Sequence, residues 1–342
     1  MKCPMKHLLT LAVLSFLGTP APASTLYVSP SGDDDNPGTE DRPIATLERA
    51  RDHIRRIQAT GGLPDGGITV VLRGGMYELS QPQGFTKQDS GADNAPIVYR
   101  AYEGESVKIG GGREVIGWKQ VTDPAVLDRL HPSARDQVWL ADLKDVGITD
   151  LQGINSARTY QSDPGLEVFF QDKPMTLARY PNSGYMHIVG VLDAAGKVQK
   201  GDLTAPDGKF VCDDPRPARW ERETGVWLHG FWRRDWCDVR VPLGGVDSTA
   251  SIIRLGLPAG QAFGLRSGQW FYAENVLAEL DSPGEWYLDR DTAILHFWPP
   301  APLPTGKVVV SVVRDVFRLN DVSHVVFRGL LVEAGRGSAF VV

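Results

Sequence analysis

The chain has 342 residues, 42% of them apolar and 23% charged, and its formal net charge is −6. The apolar share excludes a wholly disordered chain, and the acidic balance lacks the basic footprint that nucleic-acid binding requires. No apolar run reaches the roughly 18 residues of a membrane span, which excludes a multi-span membrane protein. The 37 glycines and 24 prolines favour a turn-rich, β-dominated fold.

The first 23 residues have the pattern of a secretory signal peptide. Lys2 and Lys6 precede an apolar segment at residues 8–17, and small residues lead up to Ala23. An apolar segment of this length is too short to cross a bilayer, and the prolines that follow it oppose the alternative of a buried helix. We expect cleavage after Ala23 and a secreted or periplasmic protein.

A dense turn tract at residues 29–39 follows a short predicted strand at residues 26–28. Its acidic run allows two interpretations, a calcium loop or side chains that bond to their own backbone in consecutive turns. The spacing of an EF-hand and its glutamate are absent, so the turn interpretation is favoured. The run consists of Asp33, Asp34, Asp35 and Asn36.

Residues 46–57 predict an amphipathic helix. Thr46 can act as the N-cap, and Gly61 with Gly62 can end the helix. The apolar stripe of the helix consists of Leu47, Ala50, Ile54 and Ile57. Its arginines are interpreted as a solvated face, with binding of an acidic polysaccharide as the alternative; they are Arg49, Arg51, Arg55 and Arg56.

After this helix the apolar period changes to two, which indicates β-strands. The predicted strands are short and β-branched, and irregular Gly, Asn or Asp corners separate them; they lie at residues 68–73, 76–79, 97–102 and 107–109. Few two-residue hairpin turns join them, so simple hairpins are disfavoured. The pattern fits the stacked coils of a parallel β-helix, with the amphipathic helix as the cap of its open end.

The middle of the chain, from about residue 138 to residue 300, is richer in tryptophan and in true hairpins. Residues 166–179 and 284–298 each indicate strand, turn and strand. We interpret this part as an antiparallel β domain inserted into the β-helix.

The most aromatic stretch of the chain lies inside this predicted insertion, at residues 227–236. Aromatic faces stack on the apolar surfaces of sugars, while Arg and Asp side chains bond to hydroxyls or carboxylates. The alternative is that the tryptophans form the core of the insertion. The candidate substrate-binding residues are Trp227, His229, Trp232, Arg233, Asp235 and Trp236.

Two further features of the middle segment bear on chemistry. Asp235 and Glu285 lie beside aromatic residues and are candidate local carboxylates, with solvated side chains as the alternative. Cys212 and Cys237 remain after removal of the leader and are candidates for a disulfide, which an oxidising compartment would permit; two buried thiols are the alternative. No spacing of cysteine and histidine indicates a metal site.

The last segment again has the pattern of short coils, and the chain stops on an apolar stretch without a predicted cap. Terminal repeats normally carry a cap, so we expect a polypeptide that is truncated at its C-terminus. The predicted organisation is an all-β fold with four parts. They are a signal peptide (residues 1–23), a helical cap with the first rungs (24–120), an inserted antiparallel β domain (121–305) and the start of the main β-helix (306–342).

Several separated segments of the chain together resemble the N-terminal part of secreted right-handed parallel β-helix proteins of the pectate-lyase-like superfamily. These segments lie at residues 25–55, 68–79, 174–182, 284–300 and 324–342. Glycoside hydrolase family 141 is the nearest resemblance. Such proteins carry their catalytic carboxylates on later rungs, so the resemblance implies catalytic residues beyond Val342 and a fragment that is inactive on its own.

The resemblance implies a secreted glycoside hydrolase that acts on plant cell-wall polysaccharide, either a pectic side chain or xylan. Hydrolysis would need two carboxylates that flank the glycosidic bond. One alternative is a polysaccharide lyase of the pectate type, which would need a basic residue and calcium; no cofactor is otherwise expected. The other alternative is a non-catalytic carbohydrate-binding module. The expected partner is a polysaccharide or oligosaccharide, and the pattern leaves the oligomeric state open.

Overall fold

The computed structural model describes residues 24–151, 165–256 and 263–342. Within these ranges the chain is mostly β-strand, with two α-helices, α1 (Leu47–Gly61) and α2 (Pro124–Arg129). Neither α1 nor any other helix in the described ranges has the length and apolar character needed to cross a membrane. The predicted signal peptide lies outside the described residues.

The strands are short, and most have five residues or fewer. Those before residue 152 are β1 (Ser24–Val28), β2 (Ile68–Leu72), β3 (Gly75–Glu78), β4 (Gln83–Thr86), β5 (Ile97–Ala101), β6 (Val107–Gly110), β7 (Gly112–Glu114), β8 (Lys119–Gln120) and β9 (Trp139–Asp142). Those between residues 165 and 256 are β10 (Val168–Phe170), β11 (Lys173–Pro174), β12 (Thr176–Leu177), β13 (Arg179–Tyr180), β14 (Met186–Leu192), β15 (Val198–Gln199), β16 (Asp202–Ala205), β17 (Lys209–Cys212), β18 (Trp227–Arg234), β19 (Cys237–Asp247) and β20 (Ile252–Leu255).

The strands after residue 262 complete the sheets. They are β21 (Phe263–Arg266), β22 (Trp270–Glu274), β23 (Glu285–Asp289), β24 (Ile294–Phe297), β25 (Val308–Ser311), β26 (Phe317–Asn320), β27 (Val325–Arg328), β28 (Leu330–Glu333) and β29 (Phe340–Val341). Short 3-10 turns connect several of the strands, at Lys87–Asp89, Pro132–Ala134, Leu143–Val146, Arg216–Arg222, Leu277–Glu279 and Leu303–Thr305.

The chain folds as two compact units, and each is assembled from separate stretches of sequence. The first unit contains the described residues up to Gly75 together with Phe85–Val107 and Asn320–Leu330. The second unit contains Met76–Gly84, Lys108–Leu319 and Leu331–Val342. This interleaving differs from the four consecutive parts expected from the sequence.

A parallel sheet with the strand order β1-β2-β5-β27 forms the centre of the first unit. Its strands pair in direct register, so that Leu26, Val70, Tyr99 and Phe327 form one row across the sheet. Parallel neighbours require long crossover connections, which the sequence places between these strands. The parallel stacking predicted for residues 68–73 and 97–102 is therefore present.

The two aromatic residues of this row, Tyr99 and Phe327, pack with Phe85 in the interior of the unit. Tyr99 stacks on Phe327 with ring centroids 5.4 Å apart, and Phe85 lies edge-on to Tyr99 at 5.4 Å. Phe85 and Tyr99 are both buried. Stacking of identical positions on successive strands thus forms a continuous apolar column inside the first unit.

The predicted helix is confirmed as α1, with Leu47, Ala50 and Ile54 buried. The Thr46 side chain accepts a hydrogen bond from the Arg49 backbone N–H at 3.1 Å, as expected for an N-cap. Asp34 in the preceding turn tract accepts hydrogen bonds from Thr46, both from its backbone N–H and from its hydroxyl. This carboxylate of the acidic run therefore orders the start of the helix, which agrees with the turn interpretation.

The expectation that the arginines of α1 form a solvated face needs correction. Arg55 makes a bidentate ion pair with Asp89, at 2.6 Å and 2.7 Å, and Asp89 is buried. The same carboxylate accepts a hydrogen bond from the Thr86 backbone N–H at 2.7 Å. Arg55 thus attaches the helix to the turn at Lys87–Asp89 in the first unit. Helical periodicity alone does not show which polar residue of a helix contacts a buried partner.

The second unit is dominated by antiparallel sheets. The largest has eight strands in the order β13-β22-β18-β19-β20-β17-β14-β15, with an additional pairing between β14 and β22. A five-stranded sheet follows the order β12-β23-β24-β9-β8. Both predicted hairpins are present, as β10–β11 and β23–β24.

The structure differs from the expected organisation near the end of the second unit. Strand β25 lies antiparallel between β10 and β7, so Val308–Ser311 belongs to an antiparallel sheet and does not begin a series of parallel coils. Parallel pairing resumes in this unit with β26, which pairs with β29. The period-two pattern of residues 308–313 specifies a strand, but it carries no information on the direction of the neighbouring strand.

We predict that Asp89→Ala destabilises the protein by about 3 kcal/mol, because it leaves the half-buried Arg55 guanidinium without its carboxylate. Urea unfolding followed by tryptophan fluorescence measures the free energy of unfolding. The matched control is Glu48→Ala, which removes an exposed contact to Arg51 at 3.4 Å and should cost less than about 1 kcal/mol. Equal unfolding midpoints for the two variants would contradict the role assigned to Asp89.

Candidate functional site

The alternation of side chains along β18 separates two faces of the eight-stranded sheet. Leu228, Gly230 and Trp232 face the core of the second unit, and all three are buried. A Cβ atom on Gly230 would lie 2.8 Å from the Trp232 ring, so only glycine fits beneath that tryptophan. Trp227, His229 and Phe231 therefore point to the opposite face, which we call the outer face.

The register of the neighbouring strands brings a polar row onto the outer face. His229 of β18 pairs with Tyr272 of β22 on one side and with Arg240 of β19 on the other. Two residues further along β22, and on the same face, Glu274 pairs with Trp227 of β18. Cross-strand neighbours on one face have their side chains in reach of each other, so these residues form one cluster.

The cluster is a continuous hydrogen-bonded network. Asp238 Oδ2 lies 2.6 Å from His229 Nε2, and the Tyr272 hydroxyl lies 2.5 Å from His229 Nδ1. Because an ionised carboxylate only accepts hydrogen bonds, Nε2 is the nitrogen that donates to Asp238. Arg240 Nε donates to Glu274 Oε2 at 2.8 Å, and Glu274 Oε1 lies 3.9 Å from His229 Nδ1.

Glu274 stays ionised although most of its side chain is buried. Burial opposes the ionisation of Glu274, but the nearby His229 ring, the hydrogen bond from Arg240 and the charge of Arg240 outweigh it and lower the Glu274 pKa to about 2. Burial, together with the negative charge of Glu274, raises the pKa of Tyr272 well above its usual value. Tyr272 therefore remains a neutral hydroxyl in the physiological range.

Four aromatic side chains lie together beside this network, and we call them the aromatic platform: Tyr185, Phe231, Trp270 and Tyr272. The centroids of Phe231 and Trp270 are 5.4 Å apart, and those of Tyr185 and Tyr272 are 5.9 Å apart. Tyr185 is 45% exposed. An exposed aromatic group bordered by hydrogen-bonding side chains is suited to bind a molecule with both apolar and hydroxyl surfaces.

Arg179 fixes the edge of the platform. Its guanidinium carbon lies 3.7 Å from the centroid of the Tyr272 ring. Its Nε donates to the Pro181 carbonyl at 2.9 Å, and its Nη2 donates to the Gly184 carbonyl at 3.2 Å. These bonds hold the loop that carries Tyr185 against the sheet.

Two of the six predicted binding residues, Trp227 and His229, lie on the outer face, and a third, Arg233, contacts the separate β16–β21 sheet. Trp227 is half-buried, His229 is 8% exposed at the centre of the network, and Arg233 pairs with Asp202 at 2.8 Å. The structure corrects the expectation for Trp232. This side chain is 2% exposed, stacks on Phe271 at 5.7 Å and donates to the Val239 carbonyl, so it belongs to the core.

The remaining two predicted residues lie in the turn between β18 and β19. Trp236 is 70% exposed, and the Arg234 guanidinium lies over its ring at 5.5 Å. Asp235 accepts hydrogen bonds from Arg266 at 2.5 Å and from Gln269 at 2.7 Å. Both side chains are thus at the tip of the hairpin, where they are not part of the polar network.

Tyr185, Trp270, Tyr272 and Arg179 are not among the site residues expected from the sequence. The signal for two of them was present, because Trp270 and Tyr272 alternate with the apolar Phe271 and Ala273 as expected for a strand with one buried face. Nothing in the sequence indicates that β22 pairs with β18.

The predicted disulfide candidates are both free thiols in the structure. Cys212 is buried in the core of the sheet, where its Sγ donates to the Asp214 carbonyl at 3.1 Å. Burial raises the pKa of the Cys212 thiol to about 11. Cys237 lies opposite Arg234 at the start of β19, and no bridge joins it to Cys212. This agrees with the alternative of thiols for the buried Cys212.

Glu285, the second local carboxylate singled out from the sequence, is not solvated. It is 4% exposed, and its Oε2 accepts hydrogen bonds from the backbone N–H groups of Asp281 and Ser282 at 2.9 Å and 3.0 Å. Burial raises the Glu285 pKa to about 7, although these hydrogen bonds oppose the shift. In the parts of the chain that the structure describes, no group of three or more histidine, cysteine or carboxylate side chains is arranged to hold a metal ion.

Comparison with known proteins gives two partial sequence matches, and no protein-family model matches the chain. Pectate lyase PEL9 of Emericella nidulans is 46% identical over 134 residues, which is 39% of this chain and 28% of that protein. The uncharacterized protein YwoF of Bacillus subtilis is 37% identical over 86 residues, which is 25% of this chain and 15% of that protein. The chain thus spans well under a third of the curated relatives it matches.

Two solved structures are similar to the chain. A glycoside hydrolase aligns with a TM-score of 0.61 at 20% identity. The alignment covers 92% of this chain and 51% of the glycoside hydrolase chain. XylC in complex with xylose aligns with a TM-score of 0.41 at 14% identity. This alignment covers 92% of this chain and 36% of the XylC chain. The first comparison shows that the chain shares the fold of that glycoside hydrolase, whereas the second TM-score is too low to support an argument.

We predict that Glu285→Gln changes how stability depends on pH. The folded-state pKa of Glu285 is raised to about 7, so the folded protein binds the proton more tightly than the unfolded chain does. Stability of the native protein should therefore fall between about pH 4.5 and pH 7, by roughly 3 kcal/mol at most. The variant should lose this decline, so that it gains stability relative to the native protein between pH 5 and pH 8.

Thermal unfolding at a series of pH values measures this difference. Glu103→Gln is the control, because Glu103 is an exposed carboxyl of the first unit. We expect the control to keep the pH profile of the native protein. Parallel profiles for Glu285→Gln and the native protein would show that Glu285 does not titrate in this range.

Proposed function

We propose that this protein is carbohydrate-active and that its outer face binds a polysaccharide or oligosaccharide. The observation that carries the proposal is the aromatic platform, in which one exposed and three partly buried rings lie beside Arg, His, Asp and Glu side chains. Rings of this kind stack on the C–H surface of a sugar, while the polar border offers donors and acceptors to its hydroxyls. The partial similarity to a pectate lyase supports the same class of partner.

We further propose that the fold is a right-handed parallel β-helix with an inserted antiparallel β domain. The in-register parallel sheet of the first unit supports this proposal. So does the similarity to the fold of a glycoside hydrolase over 92% of the chain. The antiparallel sheets of the second unit correspond to the inserted part, and they carry the proposed binding face.

For the reaction, we propose hydrolysis of a plant cell-wall polysaccharide by a glycoside hydrolase related to family 141. The resemblance of the separated sequence segments and the shared fold support this proposal. The contribution of the outer face would be to bind and orient the glycan. We also propose that the protein is secreted or periplasmic, on the basis of the leader pattern at residues 1–23.

A pectate lyase is the second candidate, and the match of 46% identity over 134 residues favours it specifically. A lyase cleaves its substrate by elimination and needs a base that removes the proton next to a uronate carboxylate. The two reactions give different products from the same polymer, so a single set of assays separates them.

The first test uses the 342-residue protein with pectate and with xylan, in the presence and absence of calcium. Release of an unsaturated product that absorbs in the ultraviolet would identify the lyase, and reducing sugar without that absorbance would identify the hydrolase. Binding without turnover is the result expected of a carbohydrate-binding part. Neither binding nor turnover on any plant polysaccharide would contradict the proposed function.

The second test addresses the platform itself. We predict that Trp270→Ala weakens glycan binding about five- to tenfold, because it removes one stacking surface of about 1 kcal/mol. Affinity electrophoresis in gels that contain polysaccharide measures the change. Tyr102→Ala is the control, since Tyr102 is an aromatic residue of the first unit that contacts Glu40 and Arg73. Equal retardation of the two variants would show that the platform does not bind the glycan.

A further inference from the structure

We propose that the aromatic platform takes an uncharged stretch of glycan and discriminates against polyuronate. This inference rests on the proposed function, and it adds the charge class of the ligand. The observation behind it is that most of the arginine and histidine side chains around the platform already contact carboxylates of the same unit.

The pairs surround the platform on three strands. Arg240 donates to Glu274 at 2.8 Å, and His229 lies 2.6 Å from Asp238. Next to the β18–β19 hairpin, Arg233 pairs with Asp202 of the β16–β21 sheet at 2.8 Å. Each of these carboxylates occupies the position that a uronate carboxylate of a ligand would need.

Two more pairs extend the pattern to the edges of the face. His187, which pairs with Trp270 across the sheet, contacts Asp213 at 3.0 Å. Arg266 contacts Asp235 beneath the hairpin tip at 2.5 Å. A polyuronate would therefore approach a surface on which several carboxylates already occupy the same hydrogen-bond donors.

Arg179 is the one cation beside the platform for which the described residues supply no carboxylate. Its bonds go instead to the Pro181 and Gly184 carbonyls, and its guanidinium covers one face of Tyr272. It therefore acts as a positioning residue for the Tyr185 loop. A single cation used in this way is a poor anchor for a polymer that carries one carboxylate on every sugar.

An uncharged glycan meets no such opposition. Its apolar surface can lie on Tyr185, Phe231 and Trp270, and its hydroxyls can accept from paired arginines and donate to paired carboxylates without breaking the pairs. Binding of this kind depends weakly on salt, whereas binding that rests on unpaired charges is screened by it.

Isothermal titration of the 342-residue protein with xylohexaose and with hexagalacturonate tests the charge class. We expect xylohexaose to bind at least about tenfold more tightly, with little change between low and high salt. Tighter binding of hexagalacturonate would overturn this inference and leave the proposed function standing. Binding of neither oligosaccharide, nor of any longer glycan, would contradict the proposed function itself.

A charge variant tests the cause. Asp202→Asn with Asp213→Asn removes two exposed carboxylates that neighbour Arg233 and His187 and leaves the aromatic rings in place. We expect the double variant to bind hexagalacturonate about tenfold more tightly than the native protein at low salt, and to lose this gain at high salt. Its affinity for xylohexaose should change less than about twofold.

The matched control is Asp128→Asn with Asp321→Asn, which makes the same change in net charge at exposed positions that belong neither to the aromatic platform nor to the polar network. Circular dichroism and the melting temperature establish that both double variants fold. If the control gains as much affinity for hexagalacturonate as the test variant, net charge alone determines the preference. That result, or no gain in the test variant, would overturn the role of the paired carboxylates.

Discussion

The registration of β18 between β22 and β19 is the constraint on which the rest of the second unit depends. It places His229 between Tyr272 and Arg240 on one face, and it places Gly230 between Phe271 and Val239 on the other. A shift by one residue would exchange the two faces, moving Trp232 into water and His229 into the core. The tight fit of Trp232 over Gly230 opposes such a shift, so core packing specifies the outer face.

The same registration explains how a polar network that contains charged side chains is stable although most of these side chains are buried. Glu274 and His229 are both buried, and an unpaired charge at either position would be strongly unfavourable. Arg240 on β19 supplies the opposite charge for Glu274, and Asp238 on the same strand accepts a hydrogen bond from His229, so the hydrogen bonds close within three neighbouring strands. The network costs desolvation, but it fixes the rotamers of the side chains that border the aromatic platform.

Local features of the fold could be predicted from the sequence, and pairings between distant segments could not. The cap and apolar stripe of α1, the hairpin of β23 and β24, and the parallel stacking of β2 on β5 follow from periodicity and turn chemistry. The partner of Arg55 was missed, because Asp89 lies 34 residues away and helical spacing contains nothing about it. For the same reason, the antiparallel pairing of β25, which lies in the segment expected to begin the main β-helix, could not be foreseen.

The candidate site shows the same limit in a more specific way. Residues 227–236 were singled out as one aromatic stretch, but a strand sends successive side chains to opposite faces, so Trp232 stabilises the core while Phe231 joins the platform. A run of aromatic residues in a strand therefore supplies at most half of its rings to any surface. The other rings of the platform come from Tyr185 and from β22, which lie about forty residues to either side of β18 in sequence and meet it only through sheet pairing. A surface that binds sugar by stacking is for this reason a property of the strand order, and the composition of one segment can indicate its presence but not its members.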